Sequence, residues 1–415
     1  MIDKTADFGR RWRLIFSAEK TKCITFGETK AQNSVNNGKR KWSMNGIHIE
    51  EVDHYVHVGI KLCAYGQSKE RTKDMKKRGL NVLGSLNSYG LNTNGLSPIT
   101  CCRIWHRMAM PSMLYGCQVW QNITQGEMYM LERVLKLASK MFQGFYFRTH
   151  DEIVRGTLGW FTIAGYIDKA KLQFVQQLVH SDPHSIIKHV FLHQLYGSLF
   201  HSRSGITSNL VETARKYGVI KYVQSYINGG PFPNKMAWKG IIKERIHNVE
   251  FTDWRDTLQT KGANTFLQVQ PTLQPNILYK FIQNDMNNRN RYMSLLKCLT
   301  LPELNVPLIC ELCGKYMYNI IEHLFMYCGS FMDERIRLWD DISNIISVQA
   351  EADLFSLSDD DIVYIMLGKE WRHLRDKEIL CKFYCKVAIF ANSILNKCER
   401  TGITINSLFS RIITT

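Results

Sequence analysis

Long apolar runs are missing from this 415-residue chain. No stretch of about 18 consecutive apolar residues occurs, so the sequence predicts no transmembrane helix and no membrane partner. Residues 1–5 contain no apolar signal core, and we therefore expect an intracellular protein of the nucleus, the cytoplasm or both. In such a reducing compartment the 12 cysteines are expected to be free thiols and metal ligands rather than disulfides.

Acidic residues are scarce in the first third of the chain. Residues 1–148 carry 23 Lys and Arg against 11 Asp and Glu, a net charge of +12, whereas the rest carries 30 against 26, a net charge of +4. An uneven excess suggests a polyanion-binding N-terminal part, and a merely basic, soluble surface is the alternative. Hydrophobic residues make up 45% of the chain, which is enough for two or three packed domains.

Hydrophobic periodicity predicts a mainly α-helical fold with a small N-terminal antiparallel β region (α+β). Strands are predicted at residues 22–26, on both sides of the Asn45-Gly46 turn, and along the alternating stretch 54–62. Ser97 and Pro98 are typical of a helix start, and Met130, Val134, Leu137 and Met141 are predicted to form the apolar stripe of another helix. Helices are predicted at residues 68–89, 97–114, 124–143, 165–180, 208–226, 235–248, 274–284 and 376–400.

Internal repeats and long low-complexity linkers are absent, so domain boundaries are placed where the pattern changes. Five regions are predicted: a β-rich part at 1–65, a helical region at 66–150, a helical connector at 151–300, a small metal module at 301–330 and a C-terminal helical region at 331–415. Residues 333–361 hold nine Asp and Glu against two Arg. This acidic segment is expected to form helices or to shield part of the basic region.

The strongest motif is a set of metal-ligand residues in the last third of the chain. Cys310, Cys313, His323 and Cys328 have the spacing C-x2-C-x9-H-x4-C. Three thiolates and one imidazole suit a closed tetrahedral Zn²⁺ site, which is structural rather than catalytic. Gly314 suits a tight turn after the second cysteine because glycine adopts positive φ readily. The alternatives are scattered core residues or a redox Cys-x-x-Cys pair, but no βαβ frame is visible around residues 307–318.

Five segments follow one another in an order that a known family shares. They are residues 11–26, with Trp12 and Lys20-Thr21-Lys22; His57-Val58-Gly59-Ile60; residues 111–120, which include Leu114-Tyr115-Gly116 and Trp120; residues 158–163; and the Cys/His quartet. In this order they resemble the C-terminal part of the reverse transcriptases of non-LTR (LINE-type) retrotransposons. The resemblance implies the end of a palm, a primer grip at His57, Val58 and Gly59, a thumb at 66–150, a connector and a zinc module.

The departures from this family bear on activity. Two-metal polymerases need carboxylates to hold both ions, and this sequence has no Phe/Tyr-Ala-Asp-Asp strand. Asp3 and Asp7 are poor substitutes, because the chain is expected to begin just downstream of that strand. The resemblance implies that Lys20 protonates the leaving pyrophosphate. Lys20 cannot have this role in a chain that has no nucleotide site. The nuclease signature Lys/Arg-Pro-Asp does not follow the zinc module either.

Basic clusters with nearby aromatics are the predicted contacts with RNA, DNA or an RNA–DNA hybrid. Lysine and arginine neutralise phosphates, and aromatic rings stack on unpaired bases. The alternative for each cluster is a solvated charged surface, with Trp12 and Trp42 in the core. Arg10, Arg11 and Arg13 flank Trp12, and the predicted nucleic-acid contacts are Lys20, Lys22, Lys39, Arg40, Lys41, Lys69, Lys73, Lys76, Lys77 and Arg78.

Two weaker constellations are expected to be structural. Cys101-Cys102 and the pair Cys381 and Cys385 are predicted to be core residues. A group of histidines lacks the Glu of a His-Glu-x-x-His zinc motif and is predicted to lie on a partly exposed helical surface. Its members are His180, His184, His189, His193 and His201.

Three functional hypotheses follow. The first is a truncated reverse-transcriptase-like protein that binds RNA or DNA without polymerising. The second is a helical protein-interaction scaffold with a structural zinc site and a protein partner. The third is a fragment of a longer, active RNA-directed DNA polymerase whose catalytic aspartates lie upstream.

Overall fold

The chain folds mainly into helices. A computed structural model describes residues 2–17, 20–26, 31–32, 40–64, 68–92, 95–121, 123–201, 205–301, 303–304 and 307–400. It is 66% helical, with small sheets near the N-terminus, which confirms the predicted mainly α fold with a small β region. No helix within these ranges combines the length and the apolar character that crossing a membrane requires.

Short strands form the N-terminal region and one later hairpin. The strands are β1 (Lys22–Cys23), β2 (Trp42–Met44), β3 (Ile47–Glu51), β4 (His54–His57), β5 (Ile60–Cys63), β6 (Leu308–Ile309) and β7 (Tyr316–Met317). β3 pairs with β2 in antiparallel fashion and with β1 in parallel fashion. The turn between β2 and β3 has φ of 53° at Asn45 and 78° at Gly46, the two positive values that a type I′ hairpin requires.

The single strand predicted at residues 54–62 is wrong, because this segment is a hairpin. β4 and β5 pair in antiparallel fashion, with His57 opposite Ile60. Val58 and Gly59 form the turn, with φ of 48° and 75°. Two consecutive residues with positive φ reverse the chain, and Gly59 supplies the one position where this costs nothing.

Helices follow one another along the rest of the chain. They are α1 (Ile2–Arg11), α2 (Ser68–Ser88), α3 (Pro98–Met113), α4 (Gln125–Gln143), α5 (Asp151–Leu158), α6 (Ile163–Val179), α7 (Ile186–Phe200), α8 (Ile206–Lys216), α9 (Ile220–Ile227), α10 (Lys235–Thr260), α11 (Asn264–Val269), α12 (Leu278–Asn284), α13 (Arg289–Cys298), α14 (Ile320–Glu322), α15 (Met332–Ser343), α16 (Val348–Phe355), α17 (Asp359–Leu367) and α18 (Lys377–Arg400). Short 3₁₀ turns lie at Cys117–Val119, Met286–Asn288, Gly329–Phe331 and Arg372–Leu374.

Local capping signals set several helix starts. The Ser97 side chain accepts a hydrogen bond from the Thr100 N–H at 3.3 Å, with Pro98 at the first helical position, as the sequence predicts. Thr124 and Glu127 cap each other at the start of α4 in a capping box. Each cap satisfies backbone N–H groups that have no partner inside the helix.

Three details of the helical prediction are wrong, and one is that the helix predicted at 235–248 continues to Thr260. The helix predicted at 208–226 is divided into α8 and α9, because Gly218 has a φ of 65° at the break. In α4 the buried apolar residues are Leu131, Val134, Leu135, Ala138 and Phe142, whereas Leu137 is 49% exposed. α4 packs against α2, α5 and α6, and these neighbours bury an arc that is rotated from the predicted stripe.

Buried side chains form a large core and a smaller one. The large core begins at Met75 in α2 and continues to Cys398 in α18, and it includes the predicted metal module. The smaller core lies among α6 to α10 and contains Trp238 and Leu172. The N-terminal strands contribute little to either, since Ile49 is their one fully buried apolar residue among those described. The helices and the metal module are therefore one packed body, with the β region at its edge.

A buried carboxylate fixes the segment that precedes α6. Glu250 of α10 is 6% exposed and accepts hydrogen bonds from Thr162 N–H at 2.9 Å and Thr162 Oγ1 at 2.6 Å. Arg155 pairs with the same carboxylate at 3.0 Å. Trp160 packs on Trp105, with ring centroids 6.5 Å apart. Residues 158–163, one of the segments that resemble reverse transcriptases, thus have a structural role in joining α5, α6 and α10.

Candidate metal centre

A short hairpin places the first two predicted ligands. β6 and β7 pair in antiparallel fashion, and Cys310 follows β6 directly. The Cys310 N–H donates to the Lys315 carbonyl at 2.8 Å, and the Gly314 N–H donates to the Cys310 carbonyl at 2.7 Å. Gly314 has a φ of 73°, the left-handed conformation that the sequence predicts for it. We call residues 307–318 the knuckle.

A helical turn places the other two ligands. The Asn319 side chain caps α14 by accepting hydrogen bonds from the N–H groups of Ile321 and Glu322. The chain continues as a π-helical turn over His323–Tyr327, in which the Cys328 N–H donates to the His323 carbonyl at 2.7 Å. This turn puts the side chains of His323 and Cys328 on the same side, facing the knuckle. We call residues 319–331 the ligand turn.

The four predicted ligands meet in one cluster. Their ligand atoms all lie within 4.8 Å of one another, and this group can hold a metal ion. Cys310 Sγ lies 3.9 Å from Cys328 Sγ, and Cys313 Sγ lies 3.3 Å from His323 Nε2. No other group of three or more such side chains meets in this way within the ranges that the structure describes.

Burial and local hydrogen bonds set the pKa values of the ligands. Burial raises the pKa of the Cys310 thiol, and it raises the pKa of Cys328 to about 12. Burial also opposes ionisation of Cys313, but hydrogen bonds from the Lys315 N–H and from neighbouring thiols outweigh it and lower the pKa of that thiol. Burial, together with Arg335, lowers the pKa of His323 and so favours the neutral imidazole that metals bind. A metal ion at this site must displace the protons of the buried thiols.

Residues outside the motif complete the site. Arg335 of α15 donates to the carbonyls of Cys328 at 3.0 Å and Phe325 at 3.3 Å, which fixes the end of the π-helical turn. Ser330 Oγ donates to the Leu312 carbonyl at 2.7 Å and so ties the ligand turn to the knuckle. Lys397 of α18 in turn donates to the Ser330 carbonyl at 2.5 Å. Sequence reasoning missed these three residues, because nothing in their spacing marks them.

The ligand turn is anchored in the large core by more side chains than the knuckle. Ile320, Ile321, Phe325 and Phe331 are each at most 2% exposed, and the Phe325 ring packs edge-on against Phe390 of α18 at 5.5 Å. In the knuckle, Ile309, Tyr316 and Tyr318 are 54%, 66% and 75% exposed. The ligand turn therefore has its own hydrophobic support, and the knuckle depends on the four ligands.

The other cysteines and histidines lie where the sequence suggests. Cys101 and Cys102 are buried in the large core, and Cys381 and Cys385 are half-buried against it. The five clustered histidines are exposed on and around α7, as predicted for a helical surface. The described ion pairs of the acidic segment 333–361 join Asp341, Asp353 and Asp361 to C-terminal residues, not to the basic region.

Several predicted nucleic-acid contacts in the β region have acidic partners. Lys22 pairs with Glu50 at 2.6 Å, and Arg40 pairs with Glu51 at 3.3 Å. Lys20 and Lys41 are exposed, and Lys39 lies outside the described residues. Trp12 is 67% exposed, so the alternative that buries it in the core is wrong, while Trp42 is half-buried.

The predicted basic face of α2 is exposed. Lys69, Lys73 and Lys77 are exposed, and Lys76 and Arg78 are half-buried. None of these five forms an ion pair with a described residue. The carboxylates of the same helix, Glu70 and Asp74, face Lys61 of β5 at 3.2 and 3.9 Å instead. Arg71, on another face, lies 5.3 Å from the ring of Trp120.

The β4–β5 hairpin brings two segments of the family resemblance together. His57 and Val58 are exposed at its tip, and a Cβ on Gly59 would lie 3.3 Å from the Tyr115 ring. Gly116 has a φ of 73°, and a Cβ there would lie 3.1 Å from the Ile60 side chain. The grip-like segment thus packs on the Tyr115-Gly116 turn after α3. Comparisons of the chain with protein-family models, with characterised proteins and with solved structures found no match.

Proposed function

We propose that this chain binds RNA or DNA through its basic helix α2 and is related to non-LTR reverse transcriptases without polymerising nucleotides. The observation that carries the proposal is the exposed lysine row on α2. Lys61 pairs with both carboxylates of that helix, and none of the lysines in the row pairs with a described carboxylate. A row of unpaired cations is the feature that attracts a phosphate backbone.

The geometry of the row suits a polyanion. Lys69, Lys73 and Lys77 are four residues apart on a helix, so they form a line about 12 Å long at 1.5 Å per residue. Binding of a phosphate by each lysine releases counterions, which adds affinity without reading sequence. The +12 net charge of residues 1–148 strengthens the attraction at longer range.

We propose Zn²⁺ as the metal of the Cys/His cluster, in a structural role. Zn–S bonds of about 2.3 Å and Zn–N bonds of about 2.0–2.1 Å give tetrahedral edges of about 3.8 Å for S–S and about 3.6 Å for S–N. The distances of 3.9 Å between Cys310 and Cys328 and of 3.3 Å between Cys313 and His323 are close to these edges. Four protein ligands leave no open position for a substrate.

The experiment is nucleic-acid binding by two charge-matched triple variants. In the first, Lys69, Lys73 and Lys77 are changed to Glu. In the second, which is the control, Lys235, Lys239 and Lys243 of α10 are changed to Glu. This reverses the charges of three exposed lysines that have the same spacing on another helix. Affinity for RNA, single-stranded DNA and RNA–DNA hybrid is measured across a salt series for both variants and the unmodified chain.

Only the α2 variant is expected to weaken binding. Loss of three phosphate contacts should reduce the slope of log affinity against log salt by about 3. Equal weakening in the α10 variant would contradict a local site, and no binding by the unmodified chain would favour the protein-interaction scaffold. Templated primer extension by the purified chain with Mg²⁺ would overturn the absence of polymerase activity.

A further inference from the structure

A second basic surface lies beside the predicted basic face of α2 and shares Lys76 with it. It is a cleft of about 1130 Å³ between α2, α4, the loop that precedes α5, and the end of α10. Six of its lining residues are cations: Lys76, Arg133, Lys136, Lys140, Arg148 and Lys261. Asp151 is the one carboxylate in its lining, so the formal net charge of the cleft is +5.

Partial pairing leaves most of this charge in place. The Asp151 carboxylate forms ion pairs with the ammonium groups of both Lys136 at 2.9 Å and Lys140 at 2.8 Å. Lys261 pairs with Glu152 at 2.6 Å. Asp151 is already counted in the net charge of +5, and Glu152 offsets Lys261 from outside the lining, so an excess of about four positive charges remains.

Two exposed aromatic rings lie in the same cleft. Phe147 is 87% exposed and Tyr129 is 58% exposed. The Lys140 ammonium lies 5.6 Å from the Phe147 ring centroid, and the Lys136 ammonium lies 5.5 Å from the Tyr129 ring centroid. A phenylalanine this exposed buries little apolar surface on folding, and a flat apolar face next to cations is a surface on which a nucleobase stacks.

We infer that this cleft binds single-stranded nucleic acid, with bases stacked on Phe147 and Tyr129 and phosphates held by the surrounding cations. The inference rests on the proposed function and names a second contact surface and the form of ligand it takes. Single strands fit because their bases are unstacked and can reach the rings, whereas duplex bases already stack on each other. An acidic peptide would use the charge but would leave both rings in water.

The test removes the rings without changing the charge. A double variant, Tyr129→Ala with Phe147→Ala, is compared with Tyr196→Ala with Phe200→Ala, two exposed aromatics on α7. Binding of oligouridine, oligothymidine and a blocked-end duplex is measured by fluorescence anisotropy. Loss of two stacking rings, at about 1–3 kcal/mol each, should weaken binding of single strands by about 30-fold or more and leave the duplex within about twofold. The α7 variant should match the unmodified chain.

A charge variant and a cross-link complete the test. Arg133→Glu should weaken the binding of every ligand more than Arg245→Glu does. Arg245→Glu is the control, because it reverses the charge of an exposed arginine on α10. Photo-cross-linking of 5-bromouracil oligonucleotides should label peptides that contain Tyr129 or Phe147. The affinities for oligouridine and oligothymidine, compared with each other, show whether the cleft prefers RNA or DNA.

The two proposals fail in different ways. If the unmodified chain binds single strands and the aromatic variant binds them equally well, the cleft is not the site while the proposed function stands. If the α2 variant abolishes binding and the Arg133→Glu variant does not alter it, the cleft is again excluded. If the unmodified chain binds no nucleic acid at all, both proposals fall.

Discussion

Removal of the metal is expected to unfold the knuckle and to leave the ligand turn in place. The ligand turn buries Ile320, Ile321, Phe325 and Phe331 in the large core. At about 1.5–3 kcal/mol for each buried apolar side chain, these four stabilise its docking by about 6–12 kcal/mol without a metal. The knuckle buries one apolar side chain outside the ligand set, Met317, which contributes about 1.5–3 kcal/mol on the same scale.

The conformational entropy of the knuckle outweighs that small contribution. Ordering a residue costs about 1–2 kcal/mol, and the knuckle has 12 residues held by few backbone hydrogen bonds. Metal present at about 1,000 times its dissociation constant stabilises the bound form by about 4 kcal/mol. We therefore expect chelation to speed hydrogen exchange of the Cys310 and Gly314 amides about 1,000-fold, while the His323 amide changes less than about tenfold.

The assay is hydrogen exchange followed by mass spectrometry, with and without chelator. Cys313→Ser should reproduce the chelator effect with metal present. Cys381→Ser, which changes another half-buried thiol, should not. Equal loss of protection in the knuckle and the ligand turn would refute the division between them, and no change in either would refute a metal-dependent site.

Three further predictions follow from described contacts. Because burial raises the pKa of two ligand thiols, metal binding should release at least two protons. The affinity for the metal should therefore fall about 100-fold for each pH unit as the pH drops through about 7, and chelator competition measures this. Glu250→Gln should lower the free energy of unfolding by about 3–5 kcal/mol in urea denaturation, since it leaves Arg155, whose side chain is only 14% exposed, without its charge partner; a loss below about 1 kcal/mol would contradict this. Gly116→Ala should cost about 1–2 kcal/mol more than a neutral surface change, because its φ is positive. Gly46 also has a positive φ but has open space around it, so Gly46→Ala measures the backbone strain alone. Any additional cost of Gly116→Ala then reports crowding against Ile60.

Short-range signals predicted much of the local structure. Asn45-Gly46 predicted a hairpin, because that dipeptide supplies two residues with positive φ. Ser97 and Thr124 stand at the predicted helix starts, because their side chains satisfy backbone groups only two or three residues away. The Val58-Gly59 turn was missed, because valine rarely adopts positive φ and the alternating pattern continues through it.

The sequence by itself determined the metal-ligand set. Its four members lie within 19 residues, and their spacing allows one hairpin and one helical turn to bring them together. The basic face of α2 is likewise local, since helical periodicity alone places lysines four residues apart on one side.

Only the tertiary structure decided which charges stay available and which surfaces converge. Lys22 and Arg40 are paired with acidic residues of β3, while Lys61 draws the α2 carboxylates away from the lysine row. The cleft joins Lys76 to Lys261, 185 positions apart in the sequence. Such convergence depends on how helices pack, and packing is set by the sum of many buried contacts rather than by any pattern along the chain.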